Sequence, residues 1–300
     1  MLLETSDAER PLPLEPGSYS GVTLSPDAGR IAFMSNEEIW VYDLARDVRT
    51  RVTNGIIPVW TPDGRFLMFS TLENVWWIRA DGGSAPQPLL RPKVSVWRLP
   101  SSMHQDAAGA RFAFHEIGIG GRDSWDLWSV PIRIDPGGVQ ASEPELFLKT
   151  GADERQLSIS PDGRWAAYTS FDAGTPATYV RTFPDDGRRC KVSEGAGHRA
   201  QWSTARPELF FHAERVIKSA PYTIAGGAFL VGKPYVWSPQ LLDSTSPTAP
   251  FSVSPDGKRI VAIVPDLKAD ERFRHVITLW TKAIDQFQAS PARGRQSAER

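Results

Sequence analysis

One short motif recurs along the chain: a Ser/Thr-Pro-Asp-Gly turn with apolar, strand-forming residues on both sides. The best copy is Ser160-Pro161-Asp162-Gly163, which is followed by the run Trp165-Ala166-Ala167-Tyr168-Thr169. Proline fixes φ at the second position, and aspartate and glycine suit the third and fourth positions, so the motif predicts a type I turn between two antiparallel strands. Near-copies stand at residues 25–29, 61–64 and 254–257. The chain is therefore predicted to be a series of β-repeats.

The spacing of the turns predicts the architecture. Five intervals of about 46 residues separate Asp27 in the first copy from Asp256 in the last, which is the period of four-stranded propeller blades. Degraded copies at residues 105–109 and 203–207 occupy the two places where a turn would otherwise be missing. We therefore predict an all-β fold, a six-bladed β-propeller of four-stranded blades, as a single domain over residues 1–288.

The sixth repeat is one strand short at its outer edge. Residues Glu9 to Leu14 can supply that strand, and the N-terminal segment would then close the ring and leave no unpaired sheet edge. Residues 289–300 are polar and rich in arginine, and their composition predicts a disordered tail.

Charge and hydropathy exclude several partners. The 34 Lys and Arg residues nearly balance the 35 Asp and Glu residues, so no overall field favours nucleic acid or an anionic membrane. No apolar run approaches the roughly 20 residues of a membrane-spanning helix, and the first ten residues are too polar for a signal peptide. The chain as written is expected to be soluble, cytoplasmic and monomeric. The single cysteine, Cys190, is expected to be an inert thiol in a strand.

The repeats resemble a known family. The residues that carry this resemblance are the Ser-Pro-Asp-Gly-Arg turn, Ala166 to Ser170, Trp40-Val41-Tyr42-Asp43-Leu44 and Tyr179 to Pro184. Over residues 10–282 the chain resembles the TolB-like six-bladed propellers, a WD40-like Pro-Asp-Gly repeat family. It is similar to the C-terminal propeller of some bacterial serine/threonine kinases, without the kinase domain. The resemblance implies a non-catalytic binding or sensing module for a protein, peptide or small-molecule ligand.

Common catalytic motifs are missing from the sequence. There is no Gly-x-Ser-x-Gly nucleophile elbow, because the segment Gly17-Ser18-Tyr19-Ser20-Gly21 has tyrosine at the nucleophile position. The glycine-rich phosphate loop, the His-Arg-Asp loop and the Asp-Phe-Gly motif of kinases are also absent. Whether the protein is an enzyme is left open by these motifs.

The mouth of the central channel is the expected ligand site. Each inner strand should begin at this mouth. Aligning the repeats on their turns therefore places equivalent residues of the inner strands at the same depth in the channel, with the next residue of each strand one position deeper. The ligand-binding residues predicted in this way are Tyr19, Arg98, Glu154, Arg155, His198 and Arg199.

A second hypothesis places a divalent metal at the same mouth. Counting back from the turn in the fifth repeat sets His198 and Arg199 almost opposite His212. The predicted metal ligands are His198, His212, Asp153, Glu154 and His115. Imidazoles and a carboxylate could hold zinc, manganese or calcium, whose bound water would attack an ester, lactone or phosphoester.

The alternative interpretation is that these histidines have only a structural role. Histidines in strands are often simply hydrogen-bonded, and adjacent residues point to opposite faces, so neighbouring candidates cannot all face one site. The tryptophans are likewise expected to pack between blades rather than to bind sugars; they include Trp40, Trp60, Trp128, Trp165 and Trp202.

Overall fold

A computed structural model describes residues 8–72, 74–118, 124–238, 242, 250–266 and 275–281. These residues form six antiparallel sheets around a central channel, and no helix occurs among them. The fold is a six-bladed β-propeller, as the turn spacing predicts. The proposed tail at residues 289–300 and the domain end at residue 288 lie outside the described residues.

The strands run outward from the channel in chain order. The first strand of the chain is β1 (Ala8–Pro11). Blade 1 contains β2 (Tyr19–Leu24), β3 (Arg30–Ser35), β4 (Glu38–Asp43) and β5 (Val48–Asn54). Blade 2 contains β6 (Ile56–Trp60), β7 (Phe66–Ser70), β8 (Val75–Arg79) and β9 (Gln87–Pro88). Blade 3 contains β10 (Val96–Asp106), β11 (Gly109–Gly118), β12 (Asp126–Asp135), β13 (Gly138–Ala141) and β14 (Glu145–Leu148).

The remaining blades repeat this order. Blade 4 contains β15 (Glu154–Ile159), β16 (Trp165–Ser170), β17 (Ala177–Thr182) and β18 (Arg189–Lys191). Blade 5 contains β19 (His198–Trp202), β20 (Glu208–Ala213), β21 (Val216–Ala225), β22 (Ala228–Val231) and β23 (Tyr235–Ser238). Blade 6 contains β24 (Phe251–Val253), β25 (Arg259–Pro265) and β26 (His275–Thr281).

The recurrent turn is held by its own side chains. In blade 4 the buried Ser160 hydroxyl donates to Asp162 Oδ1 and accepts from Trp165 N at 2.9 Å, while Asp162 Oδ1 accepts from Arg164 N. The turns of blades 1, 2 and 6 make the same set of bonds. The hydroxyl and the carboxylate thus satisfy backbone donors that the reversal of the chain leaves unpaired.

Replacing Ser160 with alanine is expected to lower the free energy of unfolding by about 1–3 kcal/mol, because the N–H of Trp165 loses a buried acceptor. Ser142→Ala, at an exposed serine, is the matched control and should change that free energy by less than about 0.5 kcal/mol. Chemical denaturation of the three proteins checks this. Equal midpoints for Ser160→Ala and the wild type would contradict it.

Each hydrophobic cluster lies between two neighbouring blades, so the core is divided into six inter-blade layers. The tryptophans named from the sequence belong to these layers. Trp60 Nε1 donates to the carbonyl of Thr23 in the preceding blade, and Trp202 Nε1 donates to the carbonyl of Ser158 in the same way. These large side chains therefore join blades, as expected from the sequence.

The N-terminal segment closes the ring. Strand β1 pairs antiparallel with β26, with Arg10 opposite Leu279, and thereby supplies the outer strand of blade 6. The backbone then continues with Leu12 N donating to Ile277 O at 2.8 Å, and the Leu12 side chain is buried between blades 6 and 1. The prediction of closure is confirmed, but the strand covers residues 8–11 rather than the expected residues 9–14.

Blades 3 and 5 each carry an additional hairpin that the repeat pattern did not predict. The long third strands β12 and β21 first pair with the regular outer strand and then extend to pair with β13 and β22, respectively. A Cβ on Gly138 would approach Trp77 of blade 2 to 2.3 Å, and Phe229 packs against Trp165 of blade 4. Each hairpin therefore packs against the preceding blade.

Candidate ligand site at the channel mouth

The inner strands enclose a central channel of about 530 Å³. Its described lining contains serines, prolines, three glutamines and two histidines, and its only charged side chains in that part of the chain are Arg155 and Arg199. No aspartate or glutamate occurs among the described lining residues. The channel is thus a concave, partly polar cavity with a positively charged section, large enough for a small ligand.

An extra residue in the inner strand determines which side chains face the channel. In blades 1, 2, 4 and 5 the pairing of the first and second strands shifts by one residue, as between Arg155 and Ser158 of blade 4. At each shift one residue has positive φ, and in three blades it is not glycine: Ile57, Gln156 and Arg199. Such a β-bulge bends the strand and turns its side chains to new directions. These bulges place Gln156 and Arg199 on the channel wall.

Arg155 is held rigidly at the channel wall. Its guanidinium lies 5.2 Å from the ring centroids of both Trp125 and Phe171, and Nη2 donates to Asp153 Oδ2 at 2.7 Å. Asp153 Oδ1 in turn accepts from Trp125 N. The aromatic faces and the carboxylate fix the orientation of the guanidinium, because stacking and ion pairing both restrict its plane.

Arg199 is oriented by a pair of histidines. Its Nε donates to His198 Nδ1 at 3.3 Å, and His198 Nε2 lies 3.1 Å from His212 Nδ1. Since Arg199 can only donate, His198 must carry its proton on Nε2 and donate it to His212. The sequence-based prediction that His198 lies opposite His212 is confirmed by the strand register. Burial, followed by the proximity of His212 and Arg199, lowers the pKa of His198 to about 3.

His115 lies at the same end of the channel. Its side chain is buried, its Nδ1 lies 3.0 Å from Ser101 Oγ, and its ring contacts Trp125 edge-on. Burial and then the positive charges of Arg155 and Arg199 lower the pKa of His115 to about 3. The imidazole is therefore neutral at physiological pH and lies within the field of both guanidinium groups.

The other residues predicted to bind ligand are buried in contacts within or between blades. Tyr19 packs on Phe33, and its hydroxyl donates to the carbonyl of Glu15. Arg98 donates from Nε to Glu116 Oε2 at 2.7 Å, in a buried ion pair. Neither residue is among the described lining residues of the central channel. Aligning the repeats on their turns placed these two residues at the level of the mouth, but it did not show whether their side chains face the channel or a neighbouring blade.

Glu154 is buried beside the mouth without facing the channel. Its Oε1 accepts from Thr150 Oγ1 at 2.9 Å and from Ser170 Oγ at 3.2 Å. Burial raises the pKa of Glu154 to about 6, and the two hydroxyl donors only partly oppose that effect.

Because the folded-state pKa of Glu154 lies above its ordinary value, its ionisation destabilises the protein as pH rises through about 6. Glutamine at position 154 does not ionise, so the effect of Glu154→Gln on the free energy of unfolding should depend on pH. This effect is expected to be more stabilising at pH 8 than at pH 4 by up to about 2 kcal/mol. Denaturation curves of both proteins across that range check this. A difference independent of pH would contradict it.

The five predicted metal ligands do not converge. His198 and His212 contact each other, His115 contacts Ser101, Asp153 binds Arg155, and Glu154 binds two hydroxyl groups. In the described part of the chain, no group of three or more His, Cys, Asp and Glu side chains is arranged to hold a metal ion. The Nδ1 lone pairs of both His198 and His212 are engaged in hydrogen bonds, so this donor set does not fit a metal as it stands.

The structure adds residues that the sequence reasoning missed. Gln156 Oε1 accepts from Arg199 N at 3.1 Å and from Thr169 Oγ1, which links blades 4 and 5. Gln201 bridges to blade 6 by donating to Phe251 O and accepting from Val253 N. In the sequence, these residues are visible only as polar amides in inner strands. Whether their side chains face the channel depends on the bulge.

Comparisons with known proteins agree with the fold. No protein-family profile matches the sequence, and no curated protein matches it. Among solved structures, a protein assigned as TolB in Agrobacterium tumefaciens shares 15% identity, a TM-score of 0.57, and coverage of 88% of this chain and 91% of its own. The Cps50 (Swd1) β-propeller domain of Myceliophteria thermophila gives 11% identity, a TM-score of 0.56, and coverage of 86% and 83%.

A third solved structure, of a protein assigned as a gluconolactonase, shares 12% identity with a TM-score of 0.57 and 93% coverage of both chains. At these identities the likeness establishes the fold alone. The chain is a six-bladed β-propeller, and its fold is similar to those of the solved propellers named above. Among the described residues, no helix is long and apolar enough to span a membrane.

Proposed function

We propose that this propeller is a non-catalytic binding or sensing module whose ligand, a peptide, protein segment or small molecule, enters the mouth of the central channel. The observation that carries the proposal is the channel of about 530 Å³, whose mouth presents side chains fixed in advance by their neighbours. Pre-positioned groups bind with little loss of conformational entropy, which favours a binding site.

A serine and a histidine among the described residues of the mouth have the spacing of a nucleophile and its base, but their surroundings do not favour catalysis. Ser101 Oγ and His115 Nδ1 are 3.0 Å apart, which is a suitable distance for a nucleophile and its base. The pKa of His115 is lowered to about 3 by burial and by the two arginines, however, so the imidazole is a weak base. No described carboxylate lines the channel to orient this imidazole.

The test of the proposed function is a ligand-observed NMR screen of mixed peptides and small molecules against the wild type and a channel-filling variant. Ser158→Trp places an indole in the channel, since Ser158 lines it on the strand that carries Arg155. Thr223→Trp, on an exposed strand of the blade 5 hairpin, is the matched control. Saturable binders should be lost in Ser158→Trp and kept in Thr223→Trp. If no binder depends on the channel, the proposal fails.

The metal-dependent hydrolase is the alternative function, and the same protein preparation tests it. Elemental analysis for zinc, manganese and calcium, on protein prepared without a metal-affinity tag, is expected to show no stoichiometric metal, because the lone pairs of His198 and His212 are occupied. A stoichiometric metal that is lost in His198→Ala would favour the hydrolase instead.

A further inference from the structure

We propose that a cavity between blades 2 and 3 is a second ligand site, which binds the carboxylate group of a small aliphatic acid. The cavity has a volume of about 280 Å³, and among the described residues it shares none of its lining with the central channel. It is lined by residues 89–93 after β9, by Arg98 of β10 and by residues 141–144 at the end of β13. The inference therefore goes beyond the function proposed for the channel and does not depend on it.

Arg98 brings a guanidinium group to the wall of this cavity. Its side chain is only 7% exposed, Nε donates to Glu116 Oε2 at 2.7 Å, and Nη1 donates to the carbonyl of Arg91 at 2.9 Å. Nη2 makes no hydrogen bond to the described residues, and it is not among the side-chain atoms that are buried without a partner, so it remains accessible. A guanidinium that is fixed in this way and still has N–H groups to donate is a suitable partner for a carboxylate.

Two cations at the cavity share one carboxylate. Lys93 Nζ donates to Glu116 Oε1 at 2.6 Å, so the two oxygens of Glu116 accept from Lys93 and Arg98. At the exposed edge, Arg91 lies 3.9 Å from Glu143, and these two charges offset each other. The described lining together with Glu116 thus has a surplus of one positive charge. A partly buried surplus of this kind attracts a monoanion.

The surroundings of this cluster leave the surplus in place. Asp126 lies opposite Glu116 in the register of β11 and β12, but its Oδ2 accepts from Lys149 Nζ. Lys93 Nζ also lies 5.9 Å from the ring centroid of Trp128, which helps to fix its position without adding charge. A carboxylate, with one negative charge, matches the surplus better than a phosphate ester, which carries about 1.5–2 negative charges at pH 7.

The rest of the wall favours an aliphatic chain. Leu89 and Leu90 are buried on the side of blade 2, and Pro92 and Pro144 also line the cavity. Ligand pockets commonly combine such apolar walls with a few placed polar groups. The volume of about 280 Å³ lies just below the roughly 300–1,000 Å³ of pockets for drug-sized ligands, so the cavity suits an acid with a short chain.

The experiment titrates the full chain with butyrate by isothermal calorimetry, with 1-butanol and inorganic phosphate as comparison ligands. Butyrate should bind saturably, butanol should not bind, and phosphate should bind less tightly than butyrate. Ser142→Trp places an indole at the cavity and should weaken butyrate binding about tenfold or more. Ser158→Trp, which fills the channel instead, should leave the affinity within about twofold.

A charge variant tests the recognition of the carboxylate. Lys93→Gln removes one cation and leaves Glu116 paired with Arg98, so the protein should fold and bind butyrate about threefold or more weakly. Lys233→Gln, at an exposed lysine of blade 5, is the matched control and should leave the affinity within about twofold. Thermal unfolding of each variant verifies that it is folded.

Several results would overturn the inference: no saturable binding of butyrate, tighter binding of phosphate, unchanged affinity in Ser142→Trp, or equal weakening by Lys93→Gln and Lys233→Gln. Loss of butyrate binding in Ser158→Trp would place the carboxylate in the channel and would overturn it as well. Tighter binding of the peptide acetyl-Gly-Gly-Leu than of butyrate would replace the free acid by the carboxyl end of a peptide.

Discussion

Removing residues 1–12 is expected to lower the midpoint of thermal unfolding by about 10 °C or more, or to prevent folding. The deletion removes β1, which supplies the outer strand of blade 6, and the buried Leu12 side chain between blades 6 and 1. Loss of a buried leucine costs about 2–5 kcal/mol, and the lost strand pairing adds to it. For a domain of this size, each kcal/mol corresponds to about 2–4 °C.

A shorter deletion and a point substitution separate the contributions. Deleting residues 1–6 leaves β1 intact, and this variant is the reference for the longer deletion. Leu12→Ala should lie between the deletion and the wild type, because it keeps the strand pairing and loses only the packing. Differential scanning calorimetry and size-exclusion chromatography check both. If the longer deletion unfolds at the same temperature as the full chain, the closure strand does not stabilise the ring.

The second large effect is on acid stability. The free energy of unfolding of the wild type should fall as pH decreases below about 6.5, more steeply than that of His115→Asn by up to about 1.4 kcal/mol per pH unit. His115 is buried, and burial with the charges of Arg155 and Arg199 holds its folded-state pKa at about 3. Its neutral form contributes stability above the unfolded-state pKa, and this contribution is lost as pH falls from 6.5 towards 3.

Asparagine is the chosen replacement because its side chain can keep a hydrogen bond to Ser101 without titrating. The variant will be less stable at pH 7, since the asparagine fills less of the site, and the pH dependence is therefore the informative measurement. Urea denaturation at intervals between pH 7 and pH 4 gives the two slopes. Parallel curves for the two proteins would show that protonation of His115 does not contribute to the loss of stability in acid.

Most of the fold follows from interactions between residues that are close in the sequence. The Pro-Asp-Gly turn constrains a few consecutive dihedral angles, and the serine and aspartate bond to backbone within five residues of themselves, so its effect is visible without any long-range information. Repetition of that turn at a regular spacing then predicts blades, their number and the missing outer strand, because a sheet edge must be paired or covered. The inner half of each blade follows directly from the sequence.

The site was predicted less well, for an equally physical reason. A single extra residue reverses the alternation of faces, so counting back from the turn of blade 4 assigned Glu154 to the mouth. Arg155 and Arg199 do line the channel, whereas Tyr19, Arg98 and Glu154 are buried elsewhere. Nothing in the local sequence marks Ile57 or Gln156 as left-handed, since neither is a residue that favours positive φ.

The class of fold, the number of blades, the inter-blade tryptophans and the closure by the N-terminal strand are predictable from the sequence alone, because each depends on a turn or on a pattern repeated along the chain. Which polar residues meet depends on the folded arrangement of the blades. The bulges select the side chains that face the channel, packing against blade 3 places Arg155 over the ring of Trp125, and Gln156 Oε1 of blade 4 accepts from Arg199 N of blade 5. Those contacts join residues from different blades or strands, and their geometry exists only when the ring is closed.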